Sequence, residues 1–179
     1  MNLDLYKHIY FVGIGGIGMS ALARYFNAKG KNVCGYDKVE SDLCKELESE
    51  GISIHYRVGA DNIPSQIKDA DCNEMLIIYT PAVSLENKEL QFFKEKGCRL
   101  YKRAEVLGMI SHQLFTIAVA GTHGKTTTST ILAHILQNSG KDSTAFLGGI
   151  SKNYNSNLLL AKKEKILIVE ADEYDRSFL

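Results

Sequence analysis

Residues 8–19 read H-I-Y-F-V-G-I-G-G-I-G-M, an apolar run that breaks into four glycines within six positions and then resumes with helical spacing at Ile17, Ala21, Leu22, Tyr25 and Phe26. Gly13, Gly15 and Gly18 satisfy G-x-G-x-x-G, and Asp37 closes the next apolar run, 19 residues after Gly18. A buried strand, a turn without side chains and a helix start form the dinucleotide fingerprint: a diphosphate can approach the bare backbone at the positive end of the helix. The acid then stands where ribose or base hydrogen bonds are accepted. The pattern specifies a diphosphate and a sugar without choosing between NAD and a nucleotide-sugar.

Outward from this stretch the chain repeats helix, glycine, strand. Gly30, Gly51, Gly97 and Gly140 each end a helical pattern and precede a short apolar run, at Asn32 to Tyr36, Ile52 to Tyr56, Cys98 to Tyr101 and Ser143 to Leu147. Glycine takes the left-handed conformation past a helix end without a Cβ penalty. The helices before those glycines show apolar spacing at Leu43 and Leu47, at Leu90 and Phe93, and at Ile131, Leu132, Ile135 and Leu136. His8 to Val12, Met75 to Tyr79, Phe115 to Ala120 and Ile166 to Val169 are nearly continuous apolar runs, the texture of parallel strands buried on both faces. The expected class is α/β: a Rossmann-like parallel-sheet domain over 1–112, then a shorter P-loop α/β domain over 113–179. Asn153 to Asn157 reads as a surface loop.

The second domain opens with its own glycine loop. Phe115 to Ala120 runs into Gly121, Thr122, His123, Gly124, Lys125, Thr126 and Thr127. The strict P-loop template lacks one glycine, since Val119 stands at that place, yet the G-K-[ST] core is present. Its backbone amides suit the phosphates of ATP, Lys125 the β- and γ-oxygens, and Thr126 a Mg2+ ion. Lys165 to Val169 delivers Glu170, Ala171, Asp172 and Glu173 at a strand end, where ligands of open parallel sheets bind. Glu170, first after the apolar run, is the expected second metal ligand. Of the histidines only His123 lies in a motif; His55 is a candidate ligand contact, and His8 and His134 read as packing or surface residues.

Composition removes several function classes. Twenty-one basic side chains balance 21 acidic ones, so no bulk positive field holds a nucleic acid or an anionic membrane by charge. The uncharged segment Ile9 to Ala23 imitates a secretion signal, but its glycines break the necessary helix, and no apolar run is long enough to span a bilayer. Cys34, Cys44, Cys72 and Cys98 form no C-x-x-C pair and read as reduced, packed thiols, which fits a cytoplasmic protein, although four cysteines alone could equally staple a secreted domain.

Taken together, residues 8–19, Thr80 to Val83, Arg103-Ala104-Glu105-Val106-Leu107, the A-G-T-H-G-K-T-T-T run from Ala120 and Glu170 to Glu173 resemble the Mur ligases, whose own glycine loop has the shortened form. The resemblance implies that Gly15, Gly16, Gly18 and Met19 surround the diphosphate of a UDP-sugar, with Asp37 toward the uridine and Thr80, Pro81, Ala82 and Arg103 completing the pocket. Tyr36 stands where the family commonly has serine, and Pro81 where it often has a second serine. The implied reaction is ATP-dependent activation of UDP-N-acetylmuramate as an acyl phosphate, followed by attack of the L-alanine amine. Lys125 and Glu170 would stabilise charge, and Thr126 and Glu170 would hold magnesium. Tyr174-Asp175 also resembles the family branch that recycles murein tripeptide. An NAD-dependent oxidoreductase would explain the first loop and leave the second idle; a regulatory P-loop switch would do the reverse. With the chain ending at Leu179, the expectation is a fragment that binds the UDP-sugar and does not ligate, of undetermined oligomeric state.

Overall fold

The computed structural model describes residues 3–163 and 165–171, and the chain folds as two compact units that part between Val106 and Leu107. That point lies inside a helix, α5 (Arg103–Ser111), a few residues before the boundary at 112 read from the sequence.

The first unit is a five-stranded parallel sheet in the order β3-β2-β1-β4-β5, built from β1 (His8–Val12), β2 (Asn32–Tyr36), β3 (Ser53–His55), β4 (Met75–Tyr79) and β5 (Leu100–Lys102). The chain leaves β1 toward β2 and β3, then returns to lay β4 on the other side of β1. Its topological switch point therefore falls between β1 and β4, where such sheets open a ligand crevice. Ile9 to Val12 and Leu76 to Ile78 are fully buried, as their unbroken apolar texture predicts. The outer strands β3 and β5 are shorter than the runs Ile52 to Tyr56 and Cys98 to Tyr101, because each pairs on one side only.

Four helices connect these strands: α1 (Ile17–Ala28), α2 (Asp42–Ser49), α3 (Ser65–Asp69) and α4 (Lys88–Glu95). Ser41 and Asn87 cap α2 and α4 through their side-chain oxygens. The hinge glycines at 30, 51, 97 and 140 all take positive φ, between 73° and 90°. Arg24, almost buried on α1, donates to Glu46 and Glu50 and ties α1 to α2.

One reading of the cysteines is corrected. Cys72 and Cys98 are joined in a disulfide, while Cys34 and Cys44 are buried free thiols. The 26-residue separation hides the fact that Cys72 precedes β4 and Cys98 precedes β5, so both stand at the same end of neighbouring strands.

The second unit is a four-stranded mixed sheet in the order β6-β9-β7-β8, from β6 (Phe115–Val119), β7 (Ser143–Ser151), β8 (Ser156–Leu159) and β9 (Ile166–Glu170), with α6 (Lys125–Asn138) packed on it. Strands β6, β9 and β7 run parallel and β8 is antiparallel to β7. The expected loop at Asn153 to Asn157 is therefore partly strand: Asn155 takes the left-handed conformation (φ 47°) that asparagine tolerates, and Ser156 and Asn157 already belong to β8.

Burial in this unit departs from the sequence pattern twice. Strand β6, expected to be covered on both faces, is an edge strand with Phe115 71% exposed. On α6 the buried positions are Ser129 and Ala133, while Ile131 and Ile135 face outward. Ala133 packs in one cluster with Ala145, Leu147 and Ile168, and Leu132 and Leu136 lie partly buried against it, so the small residues mark where α6 comes nearest the sheet. No helix among the described residues is long and apolar enough to cross a membrane.

Candidate functional sites in two glycine loops

In the first unit a cleft of about 430 Å³ opens at the carboxyl ends of β1, β2 and β4. Gly13, Gly16, Tyr36, Asp37, Thr80 and Ala82 line it, joined by Lys38 and Asn87, which the sequence did not single out. The loop between β1 and α1 is held from within. Asp37 Oδ2 accepts from Gly15 N at 2.7 Å, and Oδ1 accepts from Val39 N at 3.0 Å. The carboxylate read as a sugar acceptor thus also braces the loop. Gly15 is sterically required: a Cβ there would lie 2.6 Å from Cys44 Sγ and 2.9 Å from Asp37 Oδ2.

The remaining first-loop candidates sort by position. Arg103 folds over the start of α1, so close that a Cβ on Gly18 would lie 2.7 Å from its Nη1. A guanidinium and a helix N-terminus together concentrate positive potential where a diphosphate would sit. The Met19 side chain is buried in the core, and Pro81 is exposed beyond the end of β4. His55 is not free for a ligand through its ring nitrogens: Nε2 lies 2.8 Å from Tyr10 Oη and Nδ1 3.0 Å from the Arg57 carbonyl.

The second loop is more open. Thr122, His123 and Gly124 are exposed, while Gly121, Lys125 and Thr126 are half-buried. Gly124 (φ 77°) is the N-cap of α6 and supplies no side chain to its amides. Lys125 Nζ donates across the loop to Gly121 O at 2.7 Å, which holds the ammonium beside the backbone cradle. Thr127 is exposed and lines, with Thr130, Ile131 and Lys152, a shallow hollow of about 380 Å³ along α6.

Glu170, at the end of β9, meets this loop. Its Oε2 accepts from Thr126 Oγ1 at 3.0 Å, and its Oε1 accepts from Ser129 Oγ at 3.0 Å and Gly148 N at 2.8 Å. Ser129 and Gly148 were not found from the sequence, because these bonds span 41 and 22 residues. Gly148 leaves room for the carboxylate: a Cβ there would come within 2.5 Å of Glu170 Oε2. Asp172, Glu173, Tyr174 and Asp175 lie outside the described residues.

Among the described residues no group of three or more His, Cys, Asp or Glu forms a self-sufficient metal cage. One carboxylate and one hydroxyl, both hard oxygens, instead suit magnesium that completes its shell with phosphate oxygens and water.

Comparison with known proteins bears on both units. A model described as "Mur ligase family, catalytic domain" matches residues 8–114, and one described as "Mur ligase middle domain" matches 119–175. The UDP-N-acetylmuramate--L-alanine ligase of Porphyromonas gingivalis is 55% identical over 96% of this chain and 37% of its own length. That of Flavobacterium psychrophilum is 56% identical over 100% of this chain and 39% of its own length. The chain thus spans about two fifths of the length of these curated relatives.

Among solved structures, the UDP-N-acetylmuramate-alanine ligase of Thermotoga maritima superposes with a TM-score of 0.78 at 33% identity, over 91% of this chain and 37% of that one. A UDP-N-acetylmuramate:L-alanyl-gamma-D-glutamyl-meso-diaminopimelate ligase from Neisseria meningitides gives 0.82 at 27%, over 95% and 54%. With the catalytic-domain model alone matching more than half of its length, the chain belongs to the Mur ligase family.

Proposed function

We propose that this chain carries the UDP-sugar and phosphate-binding parts of an ATP-dependent, cytoplasmic ligase that joins L-alanine to UDP-N-acetylmuramate in peptidoglycan synthesis. The observation that carries the reading is the meeting of Glu170 with Thr126 at the start of α6, beside Lys125. A dinucleotide oxidoreductase has no use for that arrangement. The family membership and the relatives above 50% identity support the choice of L-alanine.

The chemistry assigns each group a task. A carboxylate is a poor electrophile until phosphorylated, and bringing it to a triphosphate sets two anions against each other. Lys125 offsets charge on the β- and γ-oxygens, while the loop of Gly121, Thr122, His123 and Gly124 donates backbone amides. Thr126 and Glu170 would hold magnesium, which when bound neutralises the triphosphate and the transferring phosphoryl group. Ser129 and Gly148 keep the Glu170 carboxylate turned toward Thr126. In the first unit Gly15, Gly16, Gly18, Thr80, Ala82 and Arg103 would seat the UDP diphosphate. Phosphoryl transfer to the muramoyl carboxylate releases ADP, and the alanine amine then attacks the acyl phosphate, forming the amide with loss of a proton and expelling inorganic phosphate.

Calorimetry on the chain tests this reading. Binding of UDP-N-acetylmuramate without binding of NADH is expected; the reverse preference overturns it. The tripeptide-recycling branch keeps a supporting observation in the likeness to the Neisseria meningitides enzyme, at 27% identity beside 33% for the Thermotoga maritima alanine ligase. Recovering ligase activity that accepts the tripeptide and refuses L-alanine, in the whole protein, would decide for that branch.

A further inference from the structure

Behind the first cleft lies a buried polar cluster that the ligase chemistry does not use. Glu89, in the first turn of α4, is fully buried, as is Tyr10 on β1. Glu89 Oε2 lies 2.8 Å from Tyr10 Oη, and Glu89 Oε1 accepts from Gly59 N at 3.0 Å. Tyr10 Oη is also 2.8 Å from His55 Nε2, and His55 Nδ1 faces the Arg57 carbonyl at 3.0 Å.

Counting protons constrains this chain of contacts. A carbonyl only accepts, so His55 Nδ1 carries a hydrogen. Tyr10 has one hydroxyl proton for two neighbours. If it donates to an ionised Glu89, His55 Nε2 must donate to Tyr10 and the ring is imidazolium. If Glu89 is protonated it donates to Tyr10, which donates to a neutral His55. Both arrangements hold the same three protons, have no net charge and leave no contact unmade. Removing one proton leaves two lone pairs facing each other, at Tyr10 or at Arg57. Burial pushes the Glu89 carboxyl above the usual carboxylate range, in keeping with retention of that third proton.

The cluster touches the cleft at two places. The His55 ring lies 5.5 Å from that of Tyr36, and Asn87 Oδ1, which caps α4, accepts from Glu89 N. Tyr36 and Asn87 both line the cleft. We propose that Glu89 is a positioning residue for the nucleotide end of this cleft: the proton it shares with His55 through Tyr10 holds the Tyr36 and Asn87 walls in place. The inference rests on the UDP-sugar reading of the first unit.

Other ionisable groups facing the cluster do not supply this proton. Burial raises the Cys34 thiol to about 12 and pushes the Tyr36 phenol up, so both stay neutral. Asp37 is held by the Gly15 and Val39 amides, Arg57 contributes its carbonyl, and Asp61 on the 3-10 turn against α4 is exposed.

Glu89→Gln separates proton holding from packing. Its amide donates to Tyr10 and its carbonyl accepts from Gly59, reproducing the neutral arrangement with nothing left to titrate. Calorimetry with UDP-N-acetylmuramate across a pH series should show wild-type affinity falling about fivefold as the cluster gives up its third proton, the scale of one lost hydrogen bond. The variant should follow only the ligand's own titration, which is common to both proteins. Nitrogen-15 shifts of His55 in the wild type should show a hydrogen on Nδ1 while affinity is high, and the affinity should fall together with loss of one proton from the cluster. Equal pH profiles for wild type and variant, or a neutral ring protonated at Nε2 throughout, overturn the proposal. Absence of UDP-N-acetylmuramate binding at every pH overturns the substrate reading instead, and this inference with it.

Discussion

The two glycine loops follow one plan, strand, bare turn and helix, yet are finished differently. The loop after β1 is locked by a carboxylate of its own unit, with Asp37 across Gly15 and Arg103 folded over Gly18. The loop after β6 stands open, and its acid, Glu170, faces a hydroxyl and an ammonium-bearing helix start instead. In the first loop the acid accepts only from backbone amides and shapes the cradle; in the second it also accepts from the Thr126 hydroxyl at the helix start, where the proposed chemistry would use it. On the proposed function, the position of the acid relative to the loop, more than the glycine pattern, would separate a binding turn from a reacting one.

The largest expected effect breaks the locked loop. Gly15→Val drives a side chain into Cys44 and Asp37, and should cost the first unit about 2–3 kcal/mol and abolish UDP-sugar binding. Gly16→Ala, whose nearest neighbours are 3.7 Å away, should shift the unfolding midpoint little. Thermal unfolding and calorimetry check both. If the two substitutions destabilise equally, the bracing by Asp37 is misassigned.

In the open loop, Lys125→Ala should lower affinity for magnesium-ATP by roughly two orders of magnitude while leaving the unfolding midpoint nearly unchanged. Glu170→Gln should weaken the magnesium dependence of nucleotide binding about tenfold, measured by titrating the metal at fixed ATP. A Lys125 variant that unfolds, or a Glu170 variant with unaltered metal dependence, would remove the contrast between the loops.

Smaller effects sharpen the comparison. Arg103→Ala should weaken UDP-sugar binding about tenfold and make it less sensitive to salt, since one charge-assisted contact to the diphosphate is lost. Arg24→Ala, which strips the link between α1 and α2 and lies away from both loops, should cost about 1–2 kcal/mol without changing either affinity. Stability itself should follow pH through Glu89. Its carboxyl is raised in the folded state, so the stabilisation it gives is present in acid and lost as pH rises through the folded value. Glu89→Gln should therefore flatten the fall in stability that sets in above the ordinary carboxylate pKa.

How much of this was legible in the sequence differs between the units for a physical reason. In the first, β1 and β4 are central and buried on both faces, so composition and burial coincide, and the hinge glycines mark each return. In the second, β6 pairs on one side only among the described residues, and α6 lies on the sheet through Ser129, Ala133, Leu132 and Leu136 while Ile131 and Ile135 face outward, so apolar spacing marked the helix but only half of its inner face. Residues bound to a loop motif, such as Lys125 and Thr126, were visible because the motif is local. Ser129, Gly148, the Cys72–Cys98 pair and the Tyr10–His55–Glu89 cluster were not, since each depends on which strands become neighbours.

The Asp37 clasp on Gly15 has a kinetic consequence. Folding has already met the entropic cost of ordering that turn, so under the proposed function an arriving diphosphate would encounter a finished receptacle, with association limited mainly by diffusion and steering. Discrimination among nucleotides then passes to the rim, to Tyr36, Lys38 and Asn87, and is expressed as differences in how long each one stays.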